Sequence, residues 1–337
     1  MRLIKTEDAV GHVLCHDMTQ IIKDQYKDAR FRKGHVVTEE DIPVLLSMGK
    51  EHLYVWEMTS GMVHENDAAE RLLALCGQEN MIRSGVKEGK IELKAACDGV
   101  FLVDSARLVA VNSQDEVMIA TRKGGMAVRE GDKLAGMRVI PLIIEEEKLR
   151  KAEQAAGDKP LLSLKPYVRK TACIVATGGE VKKGLIKDTF TPVVIDKLKT
   201  YGIETLEVVY SGDGVENVRD AVLAMREKKP DMILCTGGMS VDPDDTTPSA
   251  IKQTGAEVVS YGAPVLPGAM FLLAYTKDGK PIMGLPGCVM YAKRTIFDLV
   301  LPRVMADDEI TAEDIAKLGE GLSLIHISEP TRPEPIS

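Results

Sequence analysis

Apolar and polar positions follow two regimes along the chain, and the change comes near residue 150. Before it the pattern is mixed. Ala9–Ile22 is short and strand-like, while Thr38–Met48 (TEEDIPVLLSM) opens on a threonine and acids before taking helical spacing, as a capped helix start does. Glu65–Cys76 (ENDAAERLLALC) gathers its apolar residues on one helical face and is followed by Gly77, a natural C-cap. From Ile91 to Ile144 come the short, β-branched runs IELKAA, GVFLVD, RLVAV, EVMIAT and RVIPLII, separated by Asp98-Gly99, Gly124-Gly125 and Gly131-Asp132. This punctuation predicts a small antiparallel sheet or barrel, for which packing is a sufficient role.

Glu145–Lys159 (EEEKLRKAEQAAGDK) is charged, helix-prone and poor in core-forming residues, so it reads as a connector. The expected organisation is a mixed α+β N-terminal region over 1–150, helical near 38–77 and β-rich near 91–144. A linker over 151–169 and a C-terminal domain over 170–320 follow. In that domain the strand-like runs Thr171–Ala176, Thr205–Tyr210, Met232–Cys235, Glu257–Tyr261 and Pro281–Gly284 alternate with helical patterns. The helices are expected at Pro192–Thr200, Val215–Arg226, Pro248–Thr254 and Val289–Val304. Apolar strands alternating with helices predict an α/β three-layer domain whose mostly parallel sheet is covered on both faces. The tail, 322–337 (LSLIHISEPTRPEPIS), carries three prolines and no periodicity; it is expected to be non-native and is left out of the functional reading.

Composition narrows the classes. A chain of 337 residues that is 45% hydrophobic and 28% charged is ordinary for a globular protein. With 4% aromatic residues and a formal net charge of −8, neither stacking platforms nor a basic face for nucleic acid are expected. No run approaches the ~20 apolar residues of a membrane span, and the start MRLIKTEDAVGH lacks the apolar core of a signal peptide; the expected location is the cytoplasm. Six scattered cysteines form no CxxC pair. His12, Cys15 and His16 are close in sequence, but no second cluster completes a tetrahedral set, and ordinary strand or loop positions are the favoured reading.

The chemistry is expected where the strands end. Three glycine turns follow strand-like runs: Thr177-Gly178-Gly179-Glu180, Thr236-Gly237-Gly238-Met239-Ser240 and Leu285-Pro286-Gly287. In an open parallel sheet ligands collect at the carboxyl ends of strands, and turns leading into helices present amide donors to anions. Glycine removes the Cβ that would hold a phosphate away. No GxxxxGK[ST] and no GxGxxG follows the first strand, which weakens the usual nucleotide readings. Asp242, Asp244 and Asp245 follow the second glycine pair, Asp213 lies in Ser211-Gly-Asp-Gly214, and Asp188 lies beyond Glu180. Carboxylates beside a bound phosphate suit Mg²⁺, although Asp244 reads better as a helix cap.

The order and spacing of TGGE, the Gly-Asp pair, TGGMSVDPDD and PVLPGAM…GLPG, from about Lys170 to Val304, resemble the molybdopterin-binding (MoaB/Mog-type) domain. Molybdopterin molybdenumtransferases and adenylyltransferases share that domain. The resemblance implies molybdopterin or adenylyl-molybdopterin as ligand, with molybdate and Mg²⁺, and a homo-oligomer; composition already sets aside a nucleic acid or membrane partner. It implies Asp245, Asp213 and Glu180 as catalytic acids, and Asp245, Asp242 and Asp188 as the metal's carboxylates. Thr177, Gly178, Gly179, Thr236, Gly237, Gly238, Ser240, Pro267, Gly268, Pro286 and Gly287 would form the pocket.

Departures stand beside the likeness. The transferase pattern has Pro-Gly-Lys-Pro where this chain has Pro267-Gly-Ala-Met270, and Leu-Pro-Gly-Asn-Pro where it has Leu285-Pro-Gly-Cys-Val289. Its serine loop carries a glycine where Asp242 stands, and its C-terminal β-domain is expected to be absent. Three functions therefore compete: insertion of molybdate into molybdopterin, binding or sensing of the cofactor without catalysis, and pyrophosphate hydrolysis of the kind found in competence-damage-type proteins, whose sequences the run DDTTP resembles.

Overall fold

The computed structural model describes residues 2–22, 26–55, 61–240 and 245–320. They form two compact units. The first gathers Met1–Cys97, Phe101–Gly124 and Arg129–Leu164, and the second runs from Lys165 onward with Asp98–Val100 and Gly125–Val128.

The first unit is built from small antiparallel pairings. Its largest sheet has the order Met81–Arg83, Ile91–Ala95, Lys133–Val139, Val117–Thr121. Ile91, Leu93 and Ala95 are buried while Glu92 and Lys94 alternate outward, the period of two that a half-buried strand requires. The helix Glu65–Leu75 buries Ala68, Ala69, Leu72 and Leu73. His64 caps it. The His64 Nε2–H donates to the Cys15 carbonyl at 2.6 Å, which leaves Nδ1 to accept from the Asn66 amide and the Lys33 ammonium, each at 3.1 Å. Burial lowers the pKa of His64 and of His16 below the usual 6.5, because desolvation penalises the charged ring. Among the described residues no three His, Cys, Asp or Glu side chains stand together as metal ligands. Cys15, close in sequence to His12 and His16, is buried.

Three expectations for this half need correction. The run RLVAV is not a strand: Ser105–Asn112 is a helix, because the Asp104 carboxylate accepts the Arg107 amide at 3.0 Å and starts a turn there. Strand structure in 9–22 is confined to Met18–Ile22. The expected linker is partly core: Glu146–Ala156 is a helix that buries Leu149, Ala152 and Ala156. Its charged face hid an apolar stripe at spacings of three and four.

In the second unit the elements are β1 (Thr171–Thr177), α1 (Gly179–Lys182), α2 (Phe190–Thr200), β2 (Glu204–Ser211), α3 (Val215–Arg226) and β3 (Met232–Thr236). They continue with α4 (Thr247–Gln253), β4 (Glu257–Tyr261), β5 (Leu272–Tyr275), β6 (Pro281–Leu285), α5 (Ile296–Met305) and α6 (Ala312–Lys317). The sheet order is β2-β1-β3-β6-β5-β4. β1, β2, β3 and β6 pair in parallel, whereas β5 is antiparallel to both neighbours, so it alone runs against the others. Every residue of β3 and β6 is buried.

Two apolar clusters cover the faces. Ile174, Leu234, Met283 and Leu285 point into one with Val194 and Leu198 of α2 and Phe297 and Leu301 of α5. Cys173, Val175, Ile233 and Cys235 point into the other with Val222 of α3 and Ile251 of α4. Helices thus pack on both faces of the sheet, making three layers. The strand β5 went unread in the sequence, since FLLAY follows a turn with no helix between it and its neighbour. The helix expected over Val289–Val304 is instead a 3₁₀ turn at Gly287–Met290 and then α5. The break falls where Thr295 and Asp298 close a capping box.

Candidate functional site

The parallel ladder levels four strand tips. Thr177 pairs with Ser211, Ala176 with Thr236, and Thr236 with Leu285. All three glycine turns and the Ser211–Gly214 corner therefore leave the same edge of the sheet, and this is what positions the candidate residues.

Hydroxyls and one carboxylate stitch these turns together. Thr177 Oγ1 donates to the Thr236 carbonyl at 2.9 Å, and Thr247 Oγ1 donates to the Gly237 carbonyl at 2.8 Å. The Gly179 amide donates to both carboxylate oxygens of Asp213, at 3.1 and 3.0 Å. Asp213 thus ties the turn after β1 to the corner after β2. Glu180 is exposed in the short turn α1.

The glycines divide into two kinds. A Cβ on Gly237 would lie 2.5 Å from the Thr177 carbonyl oxygen, one on Gly238 would lie 2.7 Å from Thr247 Oγ1, and one on Gly179 would lie 2.5 Å from Asp213 Oδ2. Gly268 is closed in the same way, by Ile296 Cγ2 at 2.5 Å. These four let neighbouring segments of the chain approach one another. These contacts require glycine at the four positions before any ligand is considered. At Gly178, Gly212 and Gly214 a Cβ would meet nothing nearer than 3.7 Å, and at Gly287 nothing within 4 Å. Open glycine surface at the tips therefore lies at Gly178, the Gly212–Gly214 corner and Gly287. Gly212 was not among the expected site residues, although its Gly-Asp-Gly setting was the visible signal.

The remaining candidates are placed as follows. Thr236 and Pro286 are buried, Ser240 is exposed, and Pro267 precedes the closed Gly268. Asp245 is half-buried just before α4. Asp242 lies outside the described residues. Asp188 caps α2: Oδ1 accepts the amides of Phe190 and Thr191 at 2.9 and 3.0 Å, and Oδ2 accepts the Tyr210 hydroxyl at 3.1 Å. Burial alone would raise its pKa, but these hydrogen bonds outweigh it and hold the carboxyl below its usual value.

Asp188 Oδ2 accepts only the Tyr210 hydroxyl, so a lone pair remains on that oxygen. Among the described residues no trio of His, Cys, Asp or Glu side chains assembles for a metal ion. Of the carboxylates expected for Mg²⁺, Asp188 and Asp245 are among the described residues and Asp242 is not.

Two clefts lie elsewhere. One of about 830 Å³ in the first unit is lined by Asp17, Arg32, Lys87, Glu88 and Arg138 among others, and one of about 810 Å³ at the amino ends of the second unit's strands is lined by Arg169, Tyr275 and Asp307 among others. Neither includes a candidate residue. Size alone does not choose a site; the levelled tips do so by their chemistry.

Fold and edge define an α/β domain with glycine turns and carboxylates at the carboxyl ends of parallel strands. Residues 173–321 match the family model described as a probable molybdopterin binding domain, so the resemblance read from the motifs stands. Residues 3–57 match a domain of unknown function. The chain is 22% identical over 216 residues to a molybdopterin molybdenumtransferase of Synechococcus elongatus, covering 61% of this chain and 51% of that protein. It is 30% identical over 83 residues to a CinA-like protein of Petrotoga mobilis, covering 25% of this chain and 20% of the relative. This chain thus spans about half the length of the first relative and a fifth of the second. A molybdopterin biosynthesis enzyme MoaB from Thermus thermophilus aligns with 46% of this chain and 96% of its own, at 17% identity and a TM-score of 0.32. A likeness of that size adds nothing to the fold described above. No helix among the described residues is long and apolar enough to cross a membrane.

Proposed function

We propose that the second unit binds molybdopterin or adenylyl-molybdopterin along the levelled strand tips, and that the chain acts in molybdenum cofactor maturation as a molybdopterin molybdenumtransferase-like enzyme in the cytoplasm. The observation that carries this reading is the convergence of the Thr177, Thr236, Leu285 and Ser211 turns on one edge, within residues that match a probable molybdopterin binding domain. Molybdate and a pyrophosphate are both anions, so the protein's part is to present donors and position acids around them. Open glycine surface at Gly178, Gly214 and Gly287 supplies the approach. Asp245 is the acid assigned to the reacting end. Asp213, engaged by the Gly179 amide, is a positioning group that fixes two of the turns. A divalent ion, as Mg²⁺, would neutralise phosphate charge when bound.

The test is AMP release from adenylyl-molybdopterin in the presence of molybdate and Mg²⁺. Turnover that disappears in Asp245→Asn supports the transferase reading. Saturable binding of molybdopterin without AMP release moves the chain to a binding or sensing role, the role favoured by Ala269 where the transferase pattern has lysine. A third reading rests on local matches to CinA-like proteins at 30% and 34% identity. Hydrolysis of an unrelated pyrophosphate with no affinity for molybdopterin would establish that one. A homo-oligomer, the remaining element of the reading, is checked by sedimentation.

A further inference from the structure

The transferase pattern places a lysine where this chain has Ala269, so an anionic ligand needs its cation from elsewhere. One loop supplies it. Lys182, the last residue of α1, carries its side chain over the corner after β2. A Cβ built on Gly212 would lie 3.8 Å from Lys182 Cδ and 3.9 Å from its Nζ. The same point is 3.8 Å from Asn217 Nδ2, which is also 3.7 Å from a Cβ built on Gly214. The space that a side chain at position 212 would fill is therefore faced by an ammonium and a carboxamide NH₂.

Asn217 uses one of its two N–H bonds, donating to the Asp213 carbonyl at 2.7 Å, and a carboxamide nitrogen has a second to give. Among the described residues the Lys182 side chain makes no hydrogen bond or ion pair. By contrast, Lys197 is committed to Asp298 at 2.7 Å. The corner also holds the acids Asp213 and Glu216, so without the ammonium it would repel an anion.

We infer that Lys182 is the cation that receives the anionic end of the ligand, a phosphate or pyrophosphate group, at the Gly212 corner between β1 and β2. This rests on the molybdopterin-binding reading and adds to it a location and an orientation. In the sheet order β2-β1-β3-β6-β5-β4, position 269 precedes β5, whereas Lys182 follows β1. The two positions are three strands apart, roughly 14 Å at ~4.8 Å per strand. The phosphate end therefore points to the β1–β2 side of the edge, and the rest of the ligand extends across β3 towards Gly287.

The experiment uses the full chain, inorganic pyrophosphate and molybdopterin as separate probes, and calorimetry at low salt. Lys182→Ala should weaken pyrophosphate binding roughly tenfold, as expected for loss of a charge-assisted contact, and Lys182→Arg should stay within about threefold of wild type. Lys183→Ala removes a neighbouring exposed lysine and should change affinity less than about twofold. Amide NMR should show pyrophosphate shifting the Gly212 signal and the Asn217 side-chain signal in the wild type and not in Lys182→Ala. Equal affinity in wild type and Lys182→Ala, with molybdopterin still bound, overturns the inference and leaves the functional reading in place. Equal losses in Lys182→Ala and Lys183→Ala overturn it too, since they would report general charge alone. If the wild type binds neither probe, both the inference and the reading fall.

Discussion

The two units bury their strands by different means. In the sheet around Ile91–Ala95 of the first unit, apolar and charged residues alternate, so polar groups are spread along the whole outward face. In β3 and β6 of the second unit every residue is buried, so polar groups can appear only where the strands stop. A sheet covered on both faces concentrates its chemistry at its edges, while a half-exposed sheet scatters it. This is why a functional locus can be read in the second unit and not in the first.

The largest test of that contrast is in the cores. Phe297 lies fully buried in the cluster shared by α2, α5 and one sheet face, and Phe297→Ala should cost about 3–5 kcal/mol. Leu53 is buried in the smaller cluster with Leu14, Met18, Phe31 and Leu45, and Leu53→Ala should cost about 2–3 kcal/mol. Local hydrogen exchange, read separately in peptides of each unit, measures both. A larger loss for Leu53 would reverse the comparison.

Glycines give the next largest effect and test the division into closed and open. Gly237→Ala forces a Cβ against the Thr177 carbonyl oxygen at 2.5 Å, at a φ of +81°, and should cost about 2–4 kcal/mol. Gly212→Ala meets only ordinary contacts at 3.8–3.9 Å and should change stability by less than about 0.5 kcal/mol, while reducing any anion binding at the corner. Chemical denaturation of the two variants, side by side, shows whether the glycines of one edge serve different ends. Equal destabilisation would remove the distinction.

Much of this architecture was legible in the chain, and the failures have physical causes. Continuous apolar runs such as Met232–Cys235 could be little else than buried strands, and the turns after them fixed the edge. The strand β5 was missed because nothing separates a short buried antiparallel strand from an apolar loop in periodicity alone. The helix Ser105–Asn112 is hidden because RLVAV is short and β-branched, and its cap, Asp104, closes the preceding apolar run GVFLVD. The glycine turns have a reason beyond the one the sequence offers. TGG and TGGM mark close approach of backbone, but which body approaches, ligand or neighbouring strand, depends on Thr177, Thr247 and Asp213, residues that lie in other turns of the same edge. The chain carries no local sign of Lys182's place beside Gly212, because that relation exists only across the β1–β2 pairing.

Acid titration separates the units more gently. Every histidine among the described residues lies in the first unit. His16 and His64 have folded pKa values lowered from 6.5, chiefly by burial. A lowered folded value means the unfolded chain binds the proton more readily. Their contribution is therefore complete above 6.5 and is lost as pH falls below it towards the folded values. Glu65 works the other way. Burial raises its pKa from 4.5, so falling pH favours the folded unit through this group and offsets part of the loss. In the second unit Asp188, Asp231 and Asp314 have pKa values lowered from 3.8, and their contribution is lost only as pH falls below that value. Between about pH 6.5 and 5, hydrogen exchange corrected for intrinsic rates should rise in the helix Glu65–Leu75 and stay unchanged in β1 and β3.

The smallest effect asks whether the stitched edge depends on its hydroxyls. Thr177 Oγ1 donates to the Thr236 carbonyl and so joins the turn after β1 to the one after β3, next to the Gly237 position that has no room for a Cβ. Thr177→Val keeps the shape and the β-branch while removing the donor, which isolates the bond. The expected cost is about 1 kcal/mol, visible as a shift in the denaturation midpoint with an unchanged slope. If the edge is one fitted surface, exchange of the Gly237 and Gly238 amides should rise with it, although neither residue was altered. An unchanged midpoint would mean that the parallel pairing of Ala176 with Thr236 holds the tips level unaided, and that the sheet ladder, with no help from side chains, sets the geometry on which the site rests.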